Sequence, residues 1–224
     1  MRSLEKVEKV LEDYRSLGRL AVKIIAYRFR IFTSVIVLSI NSIFSAMYLT
    51  IGLLEKAGSL PRLPILDIFF WIIPFMLTLL LVFILFGIFK RAFLEIPKLI
   101  KPREKVRINV GLVFSIAYSL PFLIVYIAAP PLPFWDEYAW YYALLVGSLI
   151  VTLFYERPLS RAYPELSIKI FYTITVLLLL FSPIPVALTT LGIGGLASIA
   201  SSLITTICYL VSALREIYRA ERLT

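Results

Sequence analysis

The placement of charge constrains this chain more than any other feature. Uncharged apolar stretches long enough to cross a bilayer alternate with short gaps, and Lys and Arg collect in every second gap. The first four stretches cover residues 31–54, 65–89, 108–129 and 138–154, and a last run carries no charge between Lys169 and Arg215. A helix rises about 1.5 Å per residue and a bilayer core is about 30 Å thick, so roughly 20 apolar residues make one crossing. Each of the first four stretches is then one span, the fourth a short one. The last run is too long for one helix, and the segment Thr189, Thr190, Leu191, Gly192, Ile193, Gly194, Gly195 offers a tight turn that divides it into spans at 168–190 and 192–214. The expectation is an all-α integral membrane protein with six transmembrane helices, forming one polytopic domain over residues 1–224.

Orientation follows from the basic residues, because cytoplasmic segments retain them. Of the 23 Lys and Arg, all but Lys56 and Arg62 fall before span one, after spans two and four, or in the tail. Both termini are therefore expected in the cytoplasm, in a multi-pass protein of the cell membrane. The net charge of +9 is first a record of topology. Residues 1–30 place Leu4, Val7, Leu11, Tyr14, Gly18, Ala21 and Ile25 in three-four alternation behind Ser3 as an N-cap, which predicts an amphipathic cytoplasmic helix ahead of the first span. It suits either the inner leaflet or a partner helix.

Several chemistries lose their usual residues. The chain has no His, no Gln, one Cys (Cys208) and two Asn (Asn41 and Asn109), so haem, metal and thiolate-cluster sites lack their common ligands. Neither a GxxxxGK[ST] phosphate loop nor an HExxH motif occurs, and a Ser or Cys nucleophile would have no His partner. Asp67, three residues into span two, reads as the acid nearest a span interior, one carboxylate where intramembrane acid–base chemistry needs two. The chain is expected to be nonenzymatic and to carry no cofactor. The scarcity of heat-labile residues points to a thermophilic, archaeal source.

Thr190, Leu191, Gly192, Ile193 and Gly194 have the TxGxG shape of a potassium filter. Only about 20 residues separate Lys169 from Thr190, one span's worth, so there is no room for both an outer helix and a pore helix. Turn-forming glycines explain the segment. Asp136 and Glu137 read as an acidic outer loop, and Trp135, Tyr138, Trp140, Tyr141 and Tyr142 as an interfacial aromatic belt.

Small and weakly polar residues within the spans carry the remaining signal. Gly194, Ser198, Ser202 and Thr206 recur every four residues in span six, beside a second row of Ala197, Ser201 and Thr205. Span one has a matching stripe of Ser34, Asn41, Ser45, Tyr48 and Gly52, and span three adds Gly111, Ser115 and Tyr118. Such rows either seal helix against helix or line a narrow hydrated path. Asn41 is the sharpest of them, since lipid cannot satisfy a carboxamide, and with Asp67 it forms a possible polar transport site. Pro74, Pro121, Pro183 and Pro185 mark bends. In the second cytoplasmic loop Lys101, Arg103, Lys105 and Arg107 are candidates to contact an anionic partner, whether nucleic acid, acidic lipid or an ATPase surface.

In size, span count and composition the chain resembles the polytopic membrane components of DNA-import or type-IV-secretion-like systems of thermophilic archaea. That resemblance implies a channel or scaffold subunit working with other membrane subunits, an ATPase and nucleic acid as cargo. Two other readings compete. One is an autonomous transporter for a small solute or ion. The other is a lipid-modifying enzyme using Arg103 and Arg107 on phosphate.

Overall fold

A computed structural model describes residues 2–56, 80, 84, 109–127 and 135–222. Within them the regular secondary structure is all helical, with no strand. Helix α1 (Arg2–Lys56) is followed by α2 (Val110–Ile127) and α3 (Trp135–Val151), which continues through a π-helical turn (Thr152–Glu156) into α4 (Arg157–Ala162). A short 3₁₀ turn (Pro164–Leu166) then leads to α5 (Ile170–Phe181), α6 (Pro183–Thr190) and α7 (Gly194–Glu221). Three helical segments are long and apolar enough to cross a bilayer: Tyr138–Ala162, Ile170–Thr190 and Leu196–Glu221.

α1 differs from the expected pair of elements. No proline interrupts it, so the amphipathic segment and the first apolar stretch form one helix of 55 residues, and Ser3 lies inside it instead of capping it. α2 begins with a true cap: the Leu112 N–H donates to Asn109 Oδ1 at 3.1 Å. Its other end is tied to α3, because Trp135 Nε1 donates to the Val125 carbonyl at 3.1 Å.

The fourth apolar stretch also runs longer than its composition suggested. The helix includes residues from Trp135 onward, so Asp136 and Glu137 lie within it and not in a loop. The aromatic residues beside them are not a lipid-facing belt. Tyr138, Trp140 and Tyr141 are buried, and Trp135 stacks on Tyr142 at 5.4 Å between centroids. The reason lies in the following span. Pro183 and Pro185 break it at Ser182, whose N–H bonds only to the Leu179 carbonyl. Tyrosines bond carbonyls at this break: Tyr141 Oη donates at 2.6 Å to Leu178 O, which the Ser182 N–H has left, and Tyr142 Oη donates at 2.7 Å to Ser182 O. Tyr141→Phe is therefore expected to lower stability by about 1 kcal/mol, read as an earlier thermal unfolding transition in detergent.

Between α6 and α7 the chain reverses at Leu191–Ile193. Gly192, at φ 77°, takes the left-handed position, with Ile193 N–H donating to Leu188 O and Gly192 N–H to Thr189 O. That paired pattern is a Schellman helix stop, and it gives the TxGxG-like segment a turn-forming role. α7 then packs along α1, α5, α6 and α3, while α2 lies on α3.

The partition of side chains is that of a membrane protein. Outward faces carry Leu112, Leu123, Leu149, Leu179, Leu203 and Leu210, all exposed, whereas Ser34, Thr175, Ser201 and Ser212 are buried. Water would favour the reverse, and lipid accepts this one.

Candidate functional site

The interior polar residues come from α1, the α3–π segment, α5, α6 and α7, with the longest files on α1 and α7. At 100° per residue Arg30, Ser34 and Asn41 share an arc of about 40° on α1, and Ser201, Thr205, Ser212 and Glu216 share about 60° on α7. All are buried except Arg30, which is half-buried. Residues 30–41 sit within the bundle and residues 16–20 lie exposed, so α1 enters the bundle where α7 leaves it and the two run antiparallel.

Where they meet is a cluster of charges. Arg219 Nη1 donates to Glu216 Oε1 at 3.0 Å, and Arg30 Nη1 lies 3.9 Å from Glu216 Oε2. The Glu216 side chain is 1% exposed. Beside it Glu156, also buried, accepts from the Phe171 N–H at 2.7 Å with one oxygen and the Tyr172 N–H at 2.8 Å with the other. Lys169, at the start of α5, offers no side-chain cap, so a carboxylate from the preceding helix does that work from across the bundle. Thr173 Oγ1 donates to the Lys169 carbonyl and accepts from Arg215 Nη1 at 2.6 Å. Glu156 and Glu216 are close enough to repel each other. Their positive and N–H partners compensate that repulsion, and the cluster ties α1, the π turn, α5 and α7 at one end of the molecule.

The π turn is what aims Glu156. An extra residue per turn, marked by the Arg157 N–H reaching the Thr152 carbonyl, rotates the chain ahead of it. Thr152 Oγ1 donates back to Ser148 O at 2.8 Å and lies 3.4 Å from Thr175 Oγ1. Glu156→Ala would leave two N–H groups of α5 without an acceptor. The expected loss is about 1–3 kcal/mol, with Glu156→Gln losing less because its carbonyl oxygen still serves one of them; thermal unfolding of the two variants in one detergent checks the order.

Of the residues singled out by sequence, Ser34, Asn41 and Ser202 are buried, while Ser198 and Thr206 are half-buried. Thr206 Oγ1 donates to Ser202 O at 2.8 Å within its own helix. Gly194 opens α7 and Ser45 lies within α1. Asp67, Lys101, Arg103, Lys105 and Arg107 lie outside the described residues. Among the described residues the buried carboxylates are Glu156 and Glu216, both of which lie just outside the apolar stretches that the sequence marks as spans. For Glu216 a signal existed, since it lies four residues beyond Ser212 and continues the polar arc of α7. Glu156 had none, because its inward direction depends on the π turn.

Small residues form a second close contact. Ala139, Ala143 and Gly147 recur every four residues on α3, all buried. A Cβ at Gly147 would collide with the carbonyl oxygen of Ala117 on α2. No family model, curated protein or solved structure matches the chain.

Proposed function

We propose that the chain is a nonenzymatic, multi-pass subunit of a translocation complex in the cell membrane, acting as scaffold or channel. In this reading the six apolar stretches are six spans, both termini are cytoplasmic, and an ATPase and nucleic acid are the companion and cargo to seek, in a thermophilic archaeal setting.

The observation that carries the reading is the stem of α1. Register from the Arg30–Glu216 contact sets the end of α7 opposite about residue 25, so the residues before it run past α7. There Tyr14, Leu17, Leu20 and Ile24 are exposed, 71% in the case of Tyr14. Tyr14, Leu17, Ala21 and Ile24 follow steps of three and four, the period that a second helix needs. The unbroken helix argues against the leaflet as its cover, because a stem continuous with a membrane-crossing segment points away from the bilayer. The fitting occupant is a helix of a companion subunit.

Purification from native membranes in mild detergent, followed by intact-complex mass spectrometry, is expected to recover a stoichiometric companion. Leu17→Glu with Ile24→Glu is expected to lose it while the helical content of the bundle is kept. Recovery of the wild-type chain alone would sink the subunit reading. It would favour the autonomous transporter, which draws support from buried Asn41 and the buried hydroxyls of α7 and is tested by ion or solute flux through Asn41→Ala and Asp67→Ala.

A further inference from the structure

Buried polar atoms in the bundle interior do not all find partners in the chain. Ser34 Oγ, Ser201 Oγ, Thr205 Oγ1, Tyr138 Oη, Arg30 Nε and Glu216 Oε2 are each sealed from the surface and make no hydrogen bond among the described residues. Leaving one such group dry costs about 1–3 kcal/mol. With Ser148 Oγ there are seven such atoms among the described residues, and left dry they would weigh against a fold whose net stability is about 5–15 kcal/mol.

Their arrangement matters as much as their existence. Ser201, Thr205 and Glu216 lie in one arc of α7, and Ser34 and Arg30 in one arc of α1. Along α7 the file from Ser201 to Glu216 rises over about 22 Å, most of the thickness of a bilayer core. Tyr138 stands at the end opposite the charge cluster, at the start of the segment that ends near Glu156. The gap of 3.9 Å between Arg30 Nη1 and Glu216 Oε2 is beyond direct hydrogen-bond length and suits a bridging molecule.

We propose that the bundle interior binds a file of water between α1, α3 and α7, reaching from Tyr138 and Ser201 to the free oxygen of Glu216. Water fits because the groups to be met are a mixture of donors and acceptors: hydroxyls offer both, Arg30 Nε only donates and Glu216 Oε2 only accepts. A metal cation does not fit, since Arg30 and Arg219 stand at the end of the file with fixed positive charge. The site stands apart from the subunit reading, because a wet interior needs no companion.

Radiolytic labelling of the full chain in ¹⁸O-water, read by mass spectrometry, tests this directly. Hydroxyl radicals made from bound water label only what that water touches. Tyr138 carries one of the unpartnered hydroxyls, whereas Tyr141, whose hydroxyl is held by Leu178 O, and Phe171, packed against Phe114, are comparably buried without an unpartnered group of their own. Tyr138 is expected to take up ¹⁸O severalfold faster than Tyr141 and Phe171. Equal rates would overturn the proposal. A Ser201→Ala, Thr205→Val variant is expected to slow labelling of Tyr138 without changing Phe171; unchanged labelling of Tyr138 in that variant would also overturn it. Companion recovery is a separate measurement, so either conclusion can fail alone.

Discussion

Gly147→Ala is expected to force α2 away from α3 and to cost about 3 kcal/mol, an unusually large loss for one added methyl. The obstacle is not a side chain that could rotate away. A Cβ at residue 147 meets the Ala117 carbonyl oxygen and, at 3.4 Å, its carbonyl carbon, both backbone atoms of a neighbouring helix. Relief therefore requires one helix to move along its whole contact, past Tyr118, whose Cδ1 lies 3.9 Å from the new atom. In lipid there is no hydrophobic drive to restore the contact, so close packing of small residues supplies most of the adhesion and its loss is felt in full. Gly18→Ala is the matched control. Nothing lies within 4 Å of a Cβ there, and the helix propensity of alanine alone should raise stability by about 0.5–1 kcal/mol. Chemical denaturation of both variants in the same micelles should shift their midpoints in opposite directions. A Gly147→Ala protein as stable as the wild type would mean that α2 and α3 do not approach this closely.

The contrast between these two glycines shows what a sequence of this kind discloses. Gly18 was read as one of the small residues on an amphipathic face, and its surroundings are open. Gly147 drew no notice, although Ala139, Ala143 and Gly147 have the same four-residue spacing that marked Gly194, Ser198 and Ser202. Spacing identifies a row that allows close approach; only the neighbour's position says where the approach happens. The helical breaks were easier, because their causes are local: Pro183 removes an N–H donor and Gly192 tolerates positive φ wherever the rest of the chain goes. Charges misled for a related reason. Counting Lys and Arg treats each as belonging to a gap, and so it sets Arg30 in the segment before span one and says nothing of Glu216. Their pairing depends on α1 and α7 lying antiparallel, a fact of tertiary structure that no local pattern contains. The aromatic cluster at Tyr138 to Tyr142 reads from composition as a belt, whereas the hydroxyls of Tyr141 and Tyr142 bond carbonyls at a proline break some 40 residues later.

Removing the carboxylate of that antiparallel pair should have the second large effect. Glu216→Ala leaves the Arg30 guanidinium, 14% exposed, facing a cavity with no anion opposite it, and leaves Arg219 without its bond to Oε1. Breaking one side of a buried pair typically costs about 3–5 kcal/mol, most of it the penalty of an uncompensated charge and not the worth of the pair itself. That distinction can be measured. Arg30→Leu with Glu216→Leu removes both charges and fills the space with apolar atoms, so it should be much less damaging than Glu216→Ala alone, even though it deletes more of the native contact. Thermal unfolding in detergent is expected to rank wild type and the double leucine variant close together, with Glu216→Ala well below both. If instead the double variant is the least stable of the three, the pair contributes more than it costs to bury. The cluster of Glu156, Glu216, Arg30 and Arg219 would then be holding α1 and α7 in register through charge itself, and not through the packing of Ala213 and Ala220 around it.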